Sequence, residues 1–363
     1  SVAAESEEPL DMITLPGPSP VTFAPETCHN RLMATAPRRL AFDPTFDYAA
    51  WRRELRDTLQ KLIGEMPEPV PLDVRVETVT RGDGFDETRF VFRTEVDVEV
   101  PAHLLVPHRQ DQRENTPLFP VVICLQGHST GMHISLGRPL YEGDAESIAG
   151  DRDFALQAVR EGYAALAIEQ RCFGERRHQR STEVTSFTHT CRHAAMEALL
   201  IGRTLIGERV WDVSRAIDAL AAFPQVDIAR VGCMGNSGGG TITYYAACLD
   251  ERISIAMPSC AVCAYHDSIG RIDHCEDNYL PRALQYFDMG DLAGLIAPRS
   301  LVLVAGEHDP IFPLSGVKAA FATIHSIYRT AGNAHRCRLV IGPEGHRFYA
   351  SESWPVFRAL SGW

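Results

Sequence analysis

Two serines of the chain stand in the G-x-S-x-G pattern that presents a nucleophilic hydroxyl in many hydrolases. Ser129 lies in the stretch LQGHSTG, and Ser237 lies in the stretch GCMGNSGGG. At the glycine and serine content of this chain, a chance match has odds of roughly one in ten, so a single match is weak evidence. The residues around each serine therefore have to decide which of the two is the nucleophile.

The surroundings of Ser237 predict a tight strand–turn–helix. The apolar stretch RVGCMG leads into the serine, and Gly238, Gly239 and Gly240 follow it before the small-residue stretch TITYYAACL. Glycines permit the sharp turn that raises a serine hydroxyl above a sheet. The start of a helix also favours the negative charge that develops during attack. Because Ser129 is followed by glycine and polar residues with no immediate helix, we predict that Ser237 is the nucleophile and Ser129 a loop residue.

A serine nucleophile needs a base within hydrogen-bond reach and an acid that orients the base. The apolar stretches SLVLVAG and CRLVIGP are followed by EHDP and EGH, which supply Asp309 and His346. Both follow predicted strands at the sheet edge that also carries Ser237, so the three side chains are expected to converge. Glu307 remains an alternative acid. His308 is not expected to be the base, because side chains adjacent in sequence diverge.

A mainly parallel sheet is needed to bring these residues together, and the chain predicts one. From about residue 72, apolar and β-branched runs alternate with helical stretches after an antiparallel lead-in. Such alternation is typical of an α/β fold with helices on both faces of the sheet. One helical stretch is predicted to run over residues 194–223. Two polar insertions, near 171–192 and 262–285, follow strands, where ligands bind in open α/β sheets.

The chain is predicted to have two parts, an N-terminal arm and helix over residues 1–71 and a catalytic domain over residues 72–363. The first forty or so residues are proline-rich and predict an irregular arm. Residues 44–64 predict a helix from the spacing of their apolar side chains, namely Phe46, Ala50, Leu55, Leu59 and Leu62. This extension could cover the mouth of the site or mediate homo-oligomerisation, and both alternatives stay open.

From about residue 72 to its C-terminus the chain resembles the α/β-hydrolase superfamily, and within it the acetyl xylan esterase and dienelactone hydrolase-like group. The motifs that carry the resemblance are GNSGG, GEHDPIFP, GPEGH and the LQGH loop. The resemblance implies an α/β-hydrolase fold and the triad order Ser237, Asp309, His346. It also implies an oxyanion hole formed by the backbone N–H groups of His128 and Gly238. Deacetylases of the group often carry glutamine after the nucleophile, where this chain has Gly238.

The implied activity is a serine carboxylic-ester hydrolase that works through an acyl-enzyme and needs no cofactor. Its substrate would be a small-molecule or carbohydrate ester with a short acyl group, such as an acetylated sugar. A serine peptidase, a dienelactone-type hydrolase and a non-catalytic binding protein on a hydrolase scaffold remain alternatives.

Histidines and cysteines gather in the two polar insertions: His189, Cys191, His193, His266, His274 and Cys275. A metal site is conceivable there, but the chain lacks the H-E-x-x-H and paired C-x-x-C signatures of strong metal sites. We therefore expect no metal, and we expect these residues to line a pocket or the surface. A basic cluster stands in the first insertion: Arg176, Arg177, His178 and Arg180. It is interpreted as a solvated loop, with recognition of a substrate carboxylate as the alternative.

The composition narrows the classes of partner and location. The net charge of −12 argues against nucleic acids and anionic membranes as partners. No apolar run reaches the roughly 18 residues that span a bilayer. The ten cysteines lie mostly in apolar contexts, which predicts reduced thiols and favours a cytoplasmic location. A signal peptide that was already removed remains an alternative.

Overall fold

A nine-stranded sheet forms the centre of the computed structural model, which describes residues 23–109, 117–179 and 190–363. In chain order the strands are β1 (Arg75–Arg81), β2 (Phe85–Glu95), β3 (Val98–Pro107), β4 (Phe119–Leu125), β5 (Ala164–Ile168), β6 (Val226–Asn236), β7 (Ile253–Ser259), β8 (Ser300–Gly306) and β9 (Cys337–Gly342). In space their order is β1-β2-β3-β5-β4-β6-β7-β8-β9. The pairs β1–β2, β2–β3 and β3–β5 are antiparallel, and all later pairs are parallel.

Helices cover both faces of this sheet. The α-helices of the described residues are α1 (Pro25–Ala34), α2 (Tyr48–Ile63), α3 (Asp144–Ser147), α4 (Phe154–Arg160), α5 (Thr190–Leu200), α6 (Leu205–Ala219), α7 (Gly238–Leu249), α8 (Leu314–Thr330) and α9 (Ala350–Ser361). On one face α4 and α9 enclose a core that contains Val122 of β4. On the other face α2, α6, α7 and α8 enclose a core that contains Val121 and Ile123 of the same strand. The predicted α/β fold with a mainly parallel, doubly covered sheet is confirmed.

The parallel half of the sheet determines where a site can form. Strands β4, β6, β7, β8 and β9 run in one direction, so their carboxyl ends open at one edge. Leu125 at the end of β4 pairs with Gly235 of β6, and Gly306 at the end of β8 pairs with Gly342 of β9. The loops after these strands therefore meet above one edge of the sheet, where ligands bind in folds of this class.

Helix α2 belongs to the main core, and its buried face differs from the predicted one. Asp47 caps its start by accepting a hydrogen bond from the Ala50 amide. The buried side chains are Trp51, Leu55, Leu59 and Ile63. Phe46 precedes the helix and is 45% exposed. Leu55 and Leu59 are thus buried as predicted. Because the helix begins only after the Asp47 cap, Trp51 and Ile63 complete the buried stripe instead of the predicted Phe46, Ala50 and Leu62.

The helical stretch predicted over residues 194–223 is wrong in one respect, because it forms two helices, α5 and α6. Gly202 between them has a φ of 77°, a left-handed conformation that glycine adopts at low cost. Thr204 then caps α6, and its Oγ1 accepts a hydrogen bond from the Gly207 amide. Among the described helices, none is long and apolar enough to cross a membrane.

Candidate active site

Ser237 occupies a sharp turn between β6 and α7. Its φ of 55° and ψ of −124° lie in a region that residues with a side chain rarely adopt. The turn is held by the Ser237 amide, which donates to the Ser259 carbonyl over 2.8 Å. Ser237 is half-buried, whereas Asn236 and Gly238 on either side are buried. The turn thus presents this side chain towards solvent at the start of a helix, as a nucleophile elbow does.

The loop after β4 packs directly on this elbow. A Cβ added at Gly127 would lie 2.5 Å from the Asn236 carbonyl oxygen and 3.0 Å from the Ser237 Cβ, so only glycine fits there. A Cβ added at Gly238 would lie 3.3 Å from the His128 Nδ1. His128 and Gly238 are therefore neighbours beside the serine. Neither backbone amide donates a hydrogen bond to another described residue, which leaves both available to a ligand.

Asp309 and His346 are joined by a hydrogen bond. The distance from His346 Nδ1 to Asp309 Oδ2 is 2.8 Å. Asp309 Oδ1 accepts from the amides of Ile311 and Phe312 at 2.8 and 3.1 Å. Burial raises the pKa of this carboxyl, but the hydrogen bond and charge of His346 and the two amides outweigh it, so the pKa lies below its usual value. The ring of Phe312 stacks on His346 with 5.8 Å between ring centroids.

Strand β7 connects this pair to the elbow. Its last residue, Ser259, accepts from the Ser237 amide, and the following Cys260 amide donates to Val304 of β8. The Cys260 Sγ, a carboxylate oxygen of Asp309 and a ring nitrogen of His346 lie within 4.8 Å of one another. No hydrogen bond joins Ser237 Oγ to His346 in this structure. Such catalytic hydrogen bonds are often long without substrate and tighten in the complex.

The alternative residues lie elsewhere. Ser129 is 6% exposed, and its Oγ is buried without a hydrogen-bond partner among the described residues. Glu307 and His308 are exposed. Asp309 is therefore the acid that contacts His346, and Ser237 supplies the hydroxyl at the elbow.

Arg152 braces the loop after β4, a contribution that the sequence motifs did not indicate. Its Nε donates to Gln126 Oε1 over 3.2 Å, and both terminal nitrogens contact the His128 carbonyl oxygen at 3.4 Å. Burial lowers the pKa of this guanidinium to about 10, although the charge of Asp144 acts in the opposite direction. The hydrogen bonds to the His128 carbonyl orient the peptide that follows His128. Because Arg152 lies 24 residues after His128, no local sequence pattern indicates this contact.

Glu169 connects the two segments that carry Met132 and Glu175. Its carboxylate accepts from the Met132 amide at 3.0 Å and from the Glu175 amide at 3.4 Å. Burial raises the pKa of Glu169 to about 7. A cleft of about 420 Å³ lies next to it, lined by residues that include Thr130, Met132 and Arg177 but none of Ser237, Asp309 and His346.

The basic cluster of the first insertion is largely engaged in protein contacts. Arg176 Nη1 pairs with Asp212 Oδ2 at 2.8 Å, and Arg177 donates to the Gly174 carbonyl. His178 contacts Glu197 at 3.2 Å. Arg180 and His189 lie outside the described residues.

The remaining histidines and cysteines of the insertions divide into two groups. His193 and His266 are exposed, and His274 is buried with its ring against Phe312. Cys191 and Cys275 lie instead with His128 and Asp277 beside the elbow. Hydrogen bonds from Cys172 and Cys275, together with the charge of Arg209, hold the pKa of the Cys191 thiol below its usual value, although burial acts to raise it. Asp277 was not singled out from the sequence, although it stands two residues after Cys275.

Two family models match the chain. The model described as acetyl xylan esterase matches residues 141–330, and the model described as abhydrolase family matches residues 27–226. Each match covers more than half of the 363 residues. The candidate hydrolase YtaP of Bacillus subtilis (strain 168) is 27% identical over 317 residues, which cover 86% of this chain and 99% of YtaP.

Solved structures share the fold. A candidate acetyl xylan esterase from Bacteroides fragilis NCTC 9343 has a TM-score of 0.74 at 16% identity, covering 91% of this chain and 93% of its own. A glucuronoyl esterase from Solibacter usitatus has a TM-score of 0.66 at 17% identity, covering 90% and 97%. An acetyl xylan esterase from Paenibacillus sp. R4 has a TM-score of 0.55 at 17% identity, covering 95% and 100%. At these identities the likeness shows the fold alone.

Proposed function

Because the chain belongs to the acetyl xylan esterase family of α/β-hydrolases, and is thus an ester-hydrolysing enzyme, we propose that Ser237, His346 and Asp309 form its catalytic triad. The observation that carries the proposal is the elbow conformation of Ser237 at the sheet edge where His346 is hydrogen-bonded to Asp309. The order of the three residues along the chain is that of the superfamily.

In the proposed reaction, His346 takes the Ser237 proton as the hydroxyl attacks the ester carbonyl. Asp309 binds the Nδ1 side of the ring, which directs Nε2 to the nucleophile and stabilises the imidazolium. The backbone N–H groups of His128 and Gly238 stabilise the oxyanion, and each such donor typically contributes about 3–4 kcal/mol to the transition state. The alcohol leaves with the proton from His346, and water activated by the same ring releases the acid.

The proposed substrate is a short-acyl ester of a carbohydrate, with acetylated xylan as the reference compound. This proposal rests on the family to which the chain belongs. Relatives in fold that are named glucuronoyl esterases act, by their names, on esters of a sugar acid, so the position of the ester bond relative to the sugar needs its own test.

The triad is tested by hydrolysis of p-nitrophenyl acetate with Ser237→Ala and the matched variant Ser129→Ala. Loss of a triad nucleophile is expected to lower kcat by about 10⁴-fold or more. Ser129→Ala should retain most of the activity, because it removes a buried hydroxyl that has no hydrogen-bond partner. An inactive Ser129→Ala together with an active Ser237→Ala would reverse the assignment.

The substrate class is tested separately, with p-nitrophenyl esters from acetate to octanoate, acetylated xylan and a methyl glucuronate ester. A short-acyl carbohydrate esterase should prefer acetate and release acetic acid from xylan. A preference for the glucuronate ester or for octanoate would refute the substrate proposal while leaving the triad assignment intact.

A further inference from the structure

Four side chains next to the elbow bring possible metal-ligand atoms close together. They are His128 Nε2, Cys191 Sγ, Cys275 Sγ and Asp277 Oδ2, and these atoms all lie within 4.8 Å of one another. His128 Nε2 is 3.3 Å from Asp277 Oδ2. Cys191 Sγ is 3.9 Å from His128 Nε2 and 4.0 Å from Asp277 Oδ2. They come from three separate parts of the chain: the loop after β4, the start of α5 and the second insertion.

These separations are close to those of a tetrahedral metal site. Metal–ligand lengths of about 2.3 Å to sulfur and about 2.0–2.2 Å to nitrogen or oxygen place tetrahedral ligand atoms roughly 3.3–3.8 Å apart. The distances among His128, Cys191 and Asp277 are 3.3–4.0 Å, and Cys275 Sγ lies within 4.8 Å of the other three atoms. Inward movements of about 1 Å or less would therefore enclose an ion. Two thiolates, one imidazole and one carboxylate are a donor set that favours zinc over magnesium or calcium.

The charge around the cluster is also suited to binding a divalent metal ion. Two thiolates and one carboxylate exceed the charge of a divalent ion by one negative charge, and the buried Arg209 supplies one positive charge. Its guanidinium donates to Asp277 Oδ2 and, at 3.2 Å, to Cys191 Sγ, so it contacts two of the ligand atoms directly. Asn278 Nδ2 donates to the other Asp277 oxygen at 3.0 Å. Outer hydrogen bonds of this kind orient metal ligands in proteins.

We propose that His128, Cys191, Cys275 and Asp277 bind one zinc ion in a closed, tetrahedral site beside the active site. The proposal does not depend on the triad assignment, and it adds a metal ion beside the proposed triad. Four protein ligands leave no open position for water, so the ion is structural. It fixes the loop after β4 against α5 and the second insertion, and thereby the position of the His128 backbone amide.

Metal binding also determines the proton position on His128. With Nε2 on the metal, the neutral ring carries its proton on Nδ1. This nitrogen lies beside Gly238, 3.3 Å from the point where a Cβ would stand. The zinc-bound form therefore presents an N–H donor next to the proposed oxyanion hole.

The first test is the metal content of the full chain, purified without chelators and without a metal-affinity step. We expect about one zinc per chain. Cys191→Ser and Cys275→Ser should abolish the zinc content. Removing a ligand weakens zinc binding by more than the roughly 10–100-fold that is lost with one outer hydrogen bond. Cys337→Ser is the matched control, since Cys337 is also buried but lies against Ala334 away from the cluster.

Cobalt substitution of the wild-type chain tests the ligand set without relying on a folded variant. Cobalt in this site should give the intense visible bands of tetrahedral geometry and a thiolate-to-metal charge-transfer band. A six-coordinate spectrum without the thiolate band would overturn the proposal. A chain that is isolated without zinc and cannot be reconstituted with it would also overturn the proposal, whether all ten thiols are free or Cys191 and Cys275 form a disulfide and eight thiols remain. Retention of zinc in both cysteine variants would overturn it as well.

Discussion

Asp309 is the residue on which the orientation of the proposed base depends. Its Oδ2 accepts from His346 Nδ1, while its Oδ1 accepts from two backbone amides, so hydrogen bonds hold both oxygens of the carboxylate. We expect Asp309→Asn to lower kcat for p-nitrophenyl acetate by about 10⁴-fold, because an amide favours the wrong tautomer of the ring. Glu307→Gln is the control and should keep most of the activity, since Glu307 is exposed. The opposite ranking of the two variants would make Glu307 the acid.

Glu169 gives the free energy of unfolding a defined pH dependence. Its pKa is raised from 4.5 to about 7 in the folded chain, so the unfolded chain releases this proton first. The free energy of unfolding should therefore fall as the pH rises from about 4.5 to 7, by up to about 3 kcal/mol, and show no further change from this group above that range. Urea denaturation of wild type and Glu169→Gln at pH 5 and pH 8 measures the difference, which should be smaller in the variant.

Glu99→Gln provides the matched control for this experiment, because Glu99 does not contribute to the pKa of Glu169. The hydrogen bond from Arg75 lowers the pKa of the Glu99 carboxyl, so its contribution to stability is lost only under more acidic conditions. The variant should therefore keep the wild-type difference between pH 5 and pH 8. Equal differences in wild type and Glu169→Gln would show that Glu169 does not titrate in this range.

At the level of single residues, the sequence predicts those that belong to a local motif. Ser237, Asp309 and His346 each follow an apolar run within a few residues, so their place at a strand end can be read from the chain. Arg152 and Asp277 act through contacts with segments far away in sequence. Their partners are set by tertiary packing, which leaves no local pattern.

Helix α2 shows at the level of an element why the N-terminal part matters for stability. Leu55 is fully buried in the core shared with α7, whereas Phe46 is 45% exposed just before the helix. We expect Leu55→Ala to lower the free energy of unfolding by about 2–5 kcal/mol, through lost burial and the cavity left behind. Phe46→Ala should change it by less than about 0.5 kcal/mol. Urea denaturation compares the two, and equal losses would mean that Phe46 packs in solution.

The elements that the sequence predicts well are those with a continuous apolar run. The apolar stretches of the parallel half correspond to strands β4 to β9 within a few residues. The break between α5 and α6 was missed because the apolar pattern continues across Gly202, and only the left-handed backbone there ends the first helix. The irregular arm predicted over the first forty or so residues is wrong in part, because Pro25–Ala34 form α1, with Pro25 in the first turn, where proline is tolerated. No helix was predicted over residues 350–361, where α9 forms with Pro355 inside it.

The charge of the whole molecule should affect polymeric substrates. The net charge of −12 repels polysaccharides that carry uronic acids. We expect KM for an acetylated xylan rich in glucuronic acid to fall as the salt concentration rises to 0.15 M, where the Debye length is about 8 Å and the repulsion is screened. KM for the uncharged p-nitrophenyl acetate should stay constant over the same range. A rise of KM with salt for the acidic polymer would instead indicate a basic binding surface.

For the molecule as a whole, the alternation of strands and helices predicts the fold class but not the order of strands in the sheet. That order places β5 between β3 and β4 and gives β3 an antiparallel neighbour on each side. It depends on contacts between segments that are distant along the chain, such as Leu105 of β3 with Ala165 of β5.

The backbone of Ser237 implies a conflict between activity and robustness at this position. A serine at φ 55° carries strain of about 1–3 kcal/mol, which glycine would not. Ser237→Gly should therefore melt at a higher temperature than the active enzyme while being inactive, and calorimetry can check this. A lower melting temperature would mean that the hydroxyl stabilises the turn by more than the strain costs. Under the proposed role of Ser237, selection for catalysis maintains the less stable residue here, and a lineage that no longer needed the activity would gain stability by losing the proposed nucleophile.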